Sequence, residues 1–215
     1  MTMNDIENLK QFYEQKKDEI INRLQHFKNI YKLSDEHIFS ELAFCLCTPQ
    51  SNAKTCNAAI TSLINSRLLY AGTAPEIANN LFGVRFHNNK SKYIVKAKEF
   101  FTKNEKINIK TQLNQFKNPI TIREYLVKNI KGLGMKEASH FLRNIGLSEN
   151  LAILDRHILK NLLKYNAITH IPKTITTTKY IEIETKLIKF SKKINIPPSH
   201  LDLLFWSNET GEIFK

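Results

Sequence analysis

Apolar residues recur at three- and four-residue spacings along almost the whole chain, the period of helices that bury one face. Ile6, Leu9, Phe12 or Tyr13, Ile20, Leu24, Phe27 and Tyr31 predict one long or kinked N-terminal helix. Ile38, Leu42, Cys45 and Leu46 mark a second that stops at Pro49; Ala53, Cys56, Ile60 and Leu63 mark a third. Tyr93, Ala97 and Phe100 or Phe101 lie on one face of another. Thr121-x-x-Glu124 reads as a capping box opening a helix through Ile122, Tyr125, Leu126 and Ile130. Ala138, Phe141, Leu142 and Ile145 run up to Gly146, a candidate C-cap. Asp155 stands where an N-cap would precede Ile158, Leu159, Leu162 and Leu163. Tyr180, Ile183, Leu187, Phe190 and Ile194 form a further stripe before Pro197-Pro198, and Ser199-x-x-Asp202 reads as the start of a short final helix. Strand-like alternation is almost absent, although residues 171–178 are β-branched enough to leave a strand open there. The pattern predicts an all-α protein of about ten helices, without repeats or flexible linkers.

A length of 215 residues fits one domain of two lobes or two small domains. The expected division is a helical lobe over 32–119 and a second lobe made of 120–215 together with 1–31. Charge sharpens the picture: 32 Lys and Arg against 20 Asp and Glu give +12. Residues 42–123 hold twelve of the cations and three of the acids, so a positive surface is expected mainly from this middle third. Such an excess favours a polyanionic partner without separating DNA from RNA or an acidic membrane surface. The three cysteines, Cys45, Cys47 and Cys56, have neither zinc spacing nor an even count, and reduced thiols in a cytoplasm fit them better. No apolar run approaches a membrane span and no secretory segment opens the chain, so a soluble, intracellular protein is expected.

The chemistry concentrates around Gly132-Leu133-Gly134, two of only six glycines, set between two amphipathic helices. A glycine hairpin there points backbone amides and a helix N-terminus at a phosphate without reading sequence. A plain tight turn between packed helices is the other reading. Lys131 and Lys136 flank the hairpin, and Asp155 opens the helix after the next. A lysine nucleophile needs a neutral amine, which calls for desolvation or neighbouring cations such as Lys131 and Arg156. A carboxylate favours the ammonium instead, so Asp155 suits the stabilisation of positive charge in a transition state, alongside a role as helix cap. No His, Cys and carboxylate set has metal-site spacing, and neither metal nor cofactor is expected.

The run Gly132-Leu133-Gly134-Met135-Lys136-Glu137-Ala138-Ser139-His140-Phe141-Leu142-Arg143-Asn144, with Leu154-Asp155-Arg156-His157-Ile158 after it, resembles the helix-hairpin-helix DNA glycosylase superfamily. Its lysine is that of the bifunctional members. With Thr48-Pro49-Gln50-Ser51, Trp206 and the terminal Thr210-Gly211-Glu212-Ile213-Phe214-Lys215, the chain resembles the second, archaeal and bacterial family of 8-oxoguanine DNA glycosylase/AP lyases. The likeness runs from residue 42 onward. It implies a two-lobed fold with the active site in the cleft, a monomer, a prokaryotic and nucleoid-associated setting, and duplex DNA containing 8-oxoguanine or AP sites as partner. The chain lacks cysteines after Cys56, so the iron–sulfur cluster of other members is not expected.

By that resemblance Lys136 attacks C1′ and Asp155 stabilises the oxocarbenium-like transition state. Lys131, Gly132, Gly134 and Met135 grip the backbone. Trp206 stacks on the flipped base, unless it is only a core anchor, and Lys215 meets the edge that distinguishes 8-oxoguanine from guanine, unless the chain end frays. Gln50 probes the gap left in the duplex, Phe86 contacts a base and Arg85 a phosphate; a bare turn, core packing and a solvated charge run with Lys90, Lys92, Lys96 and Lys98 are the alternatives. His140 and His157 contact phosphate or sugar, or are buried. Two other readings are an oxidised-pyrimidine glycosylase with the same lysine chemistry, and a non-enzymatic DNA-binding module.

Overall fold

A computed structural model describes residues 3–215. The chain begins with the 28-residue helix α1 (Met3–Ile30), which buries Leu9, Tyr13, Ile20, Leu24 and Phe27 along one face. Then follow α2 (Asp35–Cys47), α3 (Ala53–Asn65), α4 (Leu68–Ala71), α5 (Ala74–Asn80) and α6 (His87–Phe101). A two-stranded ribbon, β1 (Thr102–Lys103) paired antiparallel with β2 (Lys106–Ile107), separates these from α7 (Ile109–Leu113). Its turn residues Asn104 and Glu105 both have positive φ, as a tight hairpin demands. The chain finishes with α8 (Pro119–Asn129), α9 (Met135–Asn144), α10 (Arg156–Lys164), α11 (Thr177–Ile194) and α12 (Pro198–Thr210). The all-α expectation holds, with twelve helices among the described residues.

α2 is the axis of the packing. It is buried at every residue from Ile38 to Cys47 and touches α3, α6, α7 and α9. A helix apolar on nearly all sides is stable only when surrounded. α1 lies against α9 and α12, while α10 and α11 both pack on α12. Gly146 ends α9 at φ +71°, as the sequence predicts; Leu147 N bonds back to Leu142 O at 2.9 Å. A side chain on Gly146 would stand 2.4 Å from the Cα of Lys28, so α9 ends against the bare backbone of α1.

Three local expectations change. α8 is capped by Asn118, whose side chain accepts from Thr121 N at 2.9 Å, with Pro119 in the first turn. Thr121 therefore lies inside the helix instead of opening it. The last helix spans 13 residues and starts at Pro198 after Pro197, while Ser199 and Asp202 turn inward instead of capping. Residues 171–178 form no strand, and Thr176 instead caps α11 by accepting from Lys179 N at 3.3 Å.

Candidate active site

α8 closes at Ile130, and Leu133 N bonds to Ile130 O at 3.2 Å, making a tight exposed turn anchored by the buried Leu133. Gly132 has φ +90°, and a Cβ there would lie 2.3 Å from the Tyr93 ring, so this position needs glycine for both conformation and space. Gly134 is different: its backbone is extended (φ −90°, ψ −176°), and it caps α9. Its smallness leaves room for Glu137, whose Oε2 would be 3.1 Å from a Cβ. Lys131 is exposed and Met135 half-buried at the hairpin's edge.

Lys136 stands in the first turn of α9, partly buried, with Nζ 2.9 Å from Glu137 Oε1. The sequence points to Asp155 as the carboxylate serving this lysine; the one in contact with it is Glu137. Asp155 caps α10, its Oδ1 accepting from both His157 N and Ile158 N at 2.8 Å. Two backbone donors fix the carboxyl group's orientation at a helix N-terminus, where negative charge is favoured. An open cavity of about 410 Å³ is lined by Met135, Lys136, Glu137, Leu154, Thr177 and Tyr180 among others, so Lys136 shares one hollow with the residue preceding Asp155.

The approach to Asp155 is held from beneath. Tyr180 Oη donates to Ala152 O at 2.5 Å and accepts from Leu154 N at 3.3 Å, while Glu184 Oε1 accepts from Ala152 N at 2.7 Å. Glu184 is paired with the buried Arg123, which also donates to Ser139 Oγ at 3.1 Å, one turn beyond Lys136 on α9. This network leaves no trace in the sequence, because its members lie on α8, α9 and α11.

The C-terminal residues meet α2 and α10. Lys215 Nζ is 2.7 Å from Glu41 Oε1 and 4.8 Å from the centroid of the Phe44 ring. Glu41 also accepts from Asn144 Nδ2 at 3.1 Å, so a buried carboxylate on α2 fixes the terminal lysine. Trp206 is partly exposed, with its ring edge-on to His157 at 5.3 Å. Its buried Nε1 finds no acceptor among the described residues. His157 also lies near Glu209 and accepts from Arg156 Nε at 3.2 Å. Of the two readings of His140, a phosphate or sugar contact and a buried ring, the structure shows the second: it is buried edge-on to Phe44 at 5.6 Å. Burial, with the charges of Arg143, Lys136 and Lys215 behind it, drives its pKa well below the usual imidazole range. Enclosed in this way, it presents no cation to the surface.

Gln50 and Phe86 are both left-handed (φ 55° and 60°) and exposed, Phe86 at 54 %. The Arg85 guanidinium lies 5.8 Å from the Phe86 ring centroid. Among the lysines of α6, Lys92 and Lys96 are exposed as expected, but Lys90 is buried and does not belong to the solvated run. Cys45, Cys47 and Cys56 are buried free thiols, and burial pushes Cys56 up to about 11. No cluster of three or more metal-ligating side chains occurs among the described residues.

The helix-hairpin-helix family described as 8-oxoguanine DNA glycosylase matches residues 6–196. The chain belongs to this family. A relative from Fusobacterium nucleatum, an 8-oxoguanine DNA glycosylase/AP lyase, is 46 % identical over 213 residues, covering 99 % of this chain and 97 % of its own. The protein of that name from Methanocaldococcus jannaschii is 41 % identical over the full length of both chains. The crystal structure of the Methanocaldococcus jannaschii 8-oxoguanine glycosylase/lyase with a 15mer DNA containing 8-oxoguanine superposes with a TM-score of 0.90. In that alignment 37 % of residues are identical, over 99 % of this chain and 100 % of the other. The Thermotoga maritima 8-oxoguanine DNA glycosylase follows at 0.86 and 30 % identity, covering 99 % of both chains. The relatives come from bacteria and archaea, and no described helix is long and apolar enough to cross a membrane.

Proposed function

We propose that this protein excises 8-oxoguanine from duplex DNA and then cuts the strand at the resulting AP site, using Lys136 as the nucleophile. The observation that carries the reading is Lys136 at the head of α9, directly after the hairpin and sharing a hollow with the approach to Asp155. Membership of the family and the DNA-bound relative support the substrate. The two lobes, 32–119 and 120–215 with 1–31, flank the cleft in this reading, and the enzyme acts as a monomer.

The Lys136 amine attacks C1′ as the bond to N9 breaks and the base leaves with that electron pair. Asp155 offsets the positive charge developing on the sugar. Loss of a proton from the amine and opening of the sugar give an imine at C1′. The imine acidifies C2′, and removal of that proton expels the 3′ phosphate by β-elimination. In this structure Lys136 Nζ is engaged by Glu137 Oε1 at 2.9 Å. Attack therefore requires the pair to separate, or its proton to move, when DNA fills the hollow.

The hairpin amides and Lys131 hold the backbone while the nucleotide leaves the stack to expose C1′. Trp206 offers the base a stacking face, worth roughly 1–3 kcal/mol. Lys215, steadied by Glu41 through Nζ, meets the edge at which 8-oxoguanine carries the N7–H that guanine lacks.

Borohydride trapping tests the reading on labelled duplexes carrying 8-oxoguanine, guanine or an AP site. A covalent adduct on the lesion duplex, absent with guanine and with Lys136→Gln, is expected. Trapping on the AP site alone would retain the lyase and reject the base; binding without an adduct on any duplex would reject the enzyme.

A further inference from the structure

Lys90 is 4 % exposed, yet it forms no ion pair among the described residues; Glu137 acts on it only from a distance. Its Nζ donates to Cys47 O at 2.7 Å, Pro49 O at 2.7 Å and Ser51 Oγ at 3.0 Å. An ammonium has three protons, and here each has an acceptor. Cys47 is the last residue of α2, so the charge also sits at the negative end of that helix. Burial pulls the pKa of Lys90 down, a cost that an exposed lysine would not bear. Such a group is unnecessary for joining two helices, which an apolar side chain of that length would do.

What the tripod holds is the Thr48–Ser51 turn, from which Gln50 projects with φ 55°. Ser51 Oγ also accepts from Arg85 N at 3.0 Å, the residue before Phe86 with φ 60°. Two exposed side chains on left-handed residues that are not glycine thus belong to one hydrogen-bonded assembly. Such conformations persist only where the surroundings impose them. One turn further along α6, the Tyr93 ring packs against Gly132 of the hairpin. The same helix therefore sets the turns and the hairpin at a fixed offset.

We propose that Lys90 and Ser51 are positioning residues that hold Gln50 and Phe86 as one rigid unit facing the DNA stack, in register with the hairpin. This rests on the base-excision reading above. The unit acts when the lesion nucleotide leaves the duplex: Gln50 enters the space and Phe86 lies against the exposed bases. An AP site has no base to extract, so strand cutting there depends on the unit far less.

The test compares Lys90→Met, Lys90→Arg and Ser51→Ala with wild type in single-turnover excision on an 8-oxoguanine duplex, and in cleavage of a preformed AP site. A 2-aminopurine placed beside the lesion reports unstacking. Lys90→Met and Ser51→Ala should each slow excision about tenfold or more at saturating enzyme, as misplaced groups remote from the chemistry do. Both should weaken the 2-aminopurine signal, with AP-site cleavage within about threefold of wild type and Lys90→Arg recovering part of the loss. Equal losses on both substrates, or excision and fluorescence unchanged, would overturn the proposal. Should Lys90→Met fail to fold, Ser51→Ala decides alone, since it removes one hydroxyl and leaves the lysine two acceptors. If wild type itself leaves 8-oxoguanine in place, the function is wrong; if wild type excises and the variants match it, only the coupling is wrong.

Discussion

Arg123 and Glu184 meet in the interior through two parallel bonds, Nη1 to Oε1 at 2.7 Å and Nη2 to Oε2 at 2.9 Å. The pair joins α8 to α11, and each partner reaches beyond it: Arg123 to Ser139 on the helix of Lys136, Glu184 to Ala152 on the approach to Asp155. Replacing Glu184 with Gln leaves a buried guanidinium without its counter-charge. Loss of stability of about 3–5 kcal/mol is expected from urea unfolding. The double change Arg123→Met with Glu184→Leu should cost much less than the two single changes together. Additive costs would mean the pair works independently of its charge.

Lys136→Gln keeps the volume of the side chain and removes the amine. Duplex binding should persist while base release and adduct formation disappear, as gel shift and trapping will report. An equal loss of binding would make Lys136 a phosphate contact instead.

Glu41 holds Lys215 by Nζ, so the two should fail alike. Removing Lys215, or changing Glu41 to Gln, should lower the ratio of 8-oxoguanine to guanine excision by about tenfold, more than it lowers AP-site cleavage. Parallel losses on lesion and AP-site duplexes would exclude this wall from base recognition.

His140 supplies a pH signature. Its folded pKa lies below the usual 6.5 because the buried ring resists charging, so the unfolded chain binds more protons as the medium turns acid. Its contribution is present above about pH 6.5 and is lost as pH falls below that value. His200, also lowered by burial, adds to this slope. Asp202, raised to about 6, opposes it, losing stability as pH rises from its unfolded value through 6. His140→Gln should flatten the acid-side fall in denaturant midpoint relative to wild type; an unchanged slope would show that the ring binds protons equally in the folded and unfolded chain.

The affinity for undamaged duplex should decline steeply with salt, since each phosphate contact releases counterions. A flat response in fluorescence anisotropy would mean that the cation-rich stretch 42–123 faces away from DNA. Lys90, being internal, should contribute nothing to that slope.

Much of the site was legible because its determinants are contiguous. The hairpin, Lys136 at the head of α9 and the Asp155 cap of α10 are each features of a helix start, written in a few consecutive residues. Glu137 is equally visible but carries no signal of its own, since adjacent residues on a helix rarely share a face. Partners brought together by tertiary packing left no local trace. Glu41 and Lys215 are 174 positions apart, and Lys90 looks like every other lysine of α6 until the end of α2 is laid against it. The caps failed for another reason. Asn118 and Thr121 are both good caps by composition, and the proline after Asn118 decides between them.

Gly146 bears on how much of the molecule counts as catalytic. α1 carries none of the residues assigned to DNA, yet the helix of Lys136 ends with a glycine pressed on the backbone of Lys28, with no side chain between them to yield. The end of α9 remote from the hairpin is thereby braced by α1. Removing the N-terminal helix would therefore take away a support of the nucleophile's helix, although no reacting group had been touched.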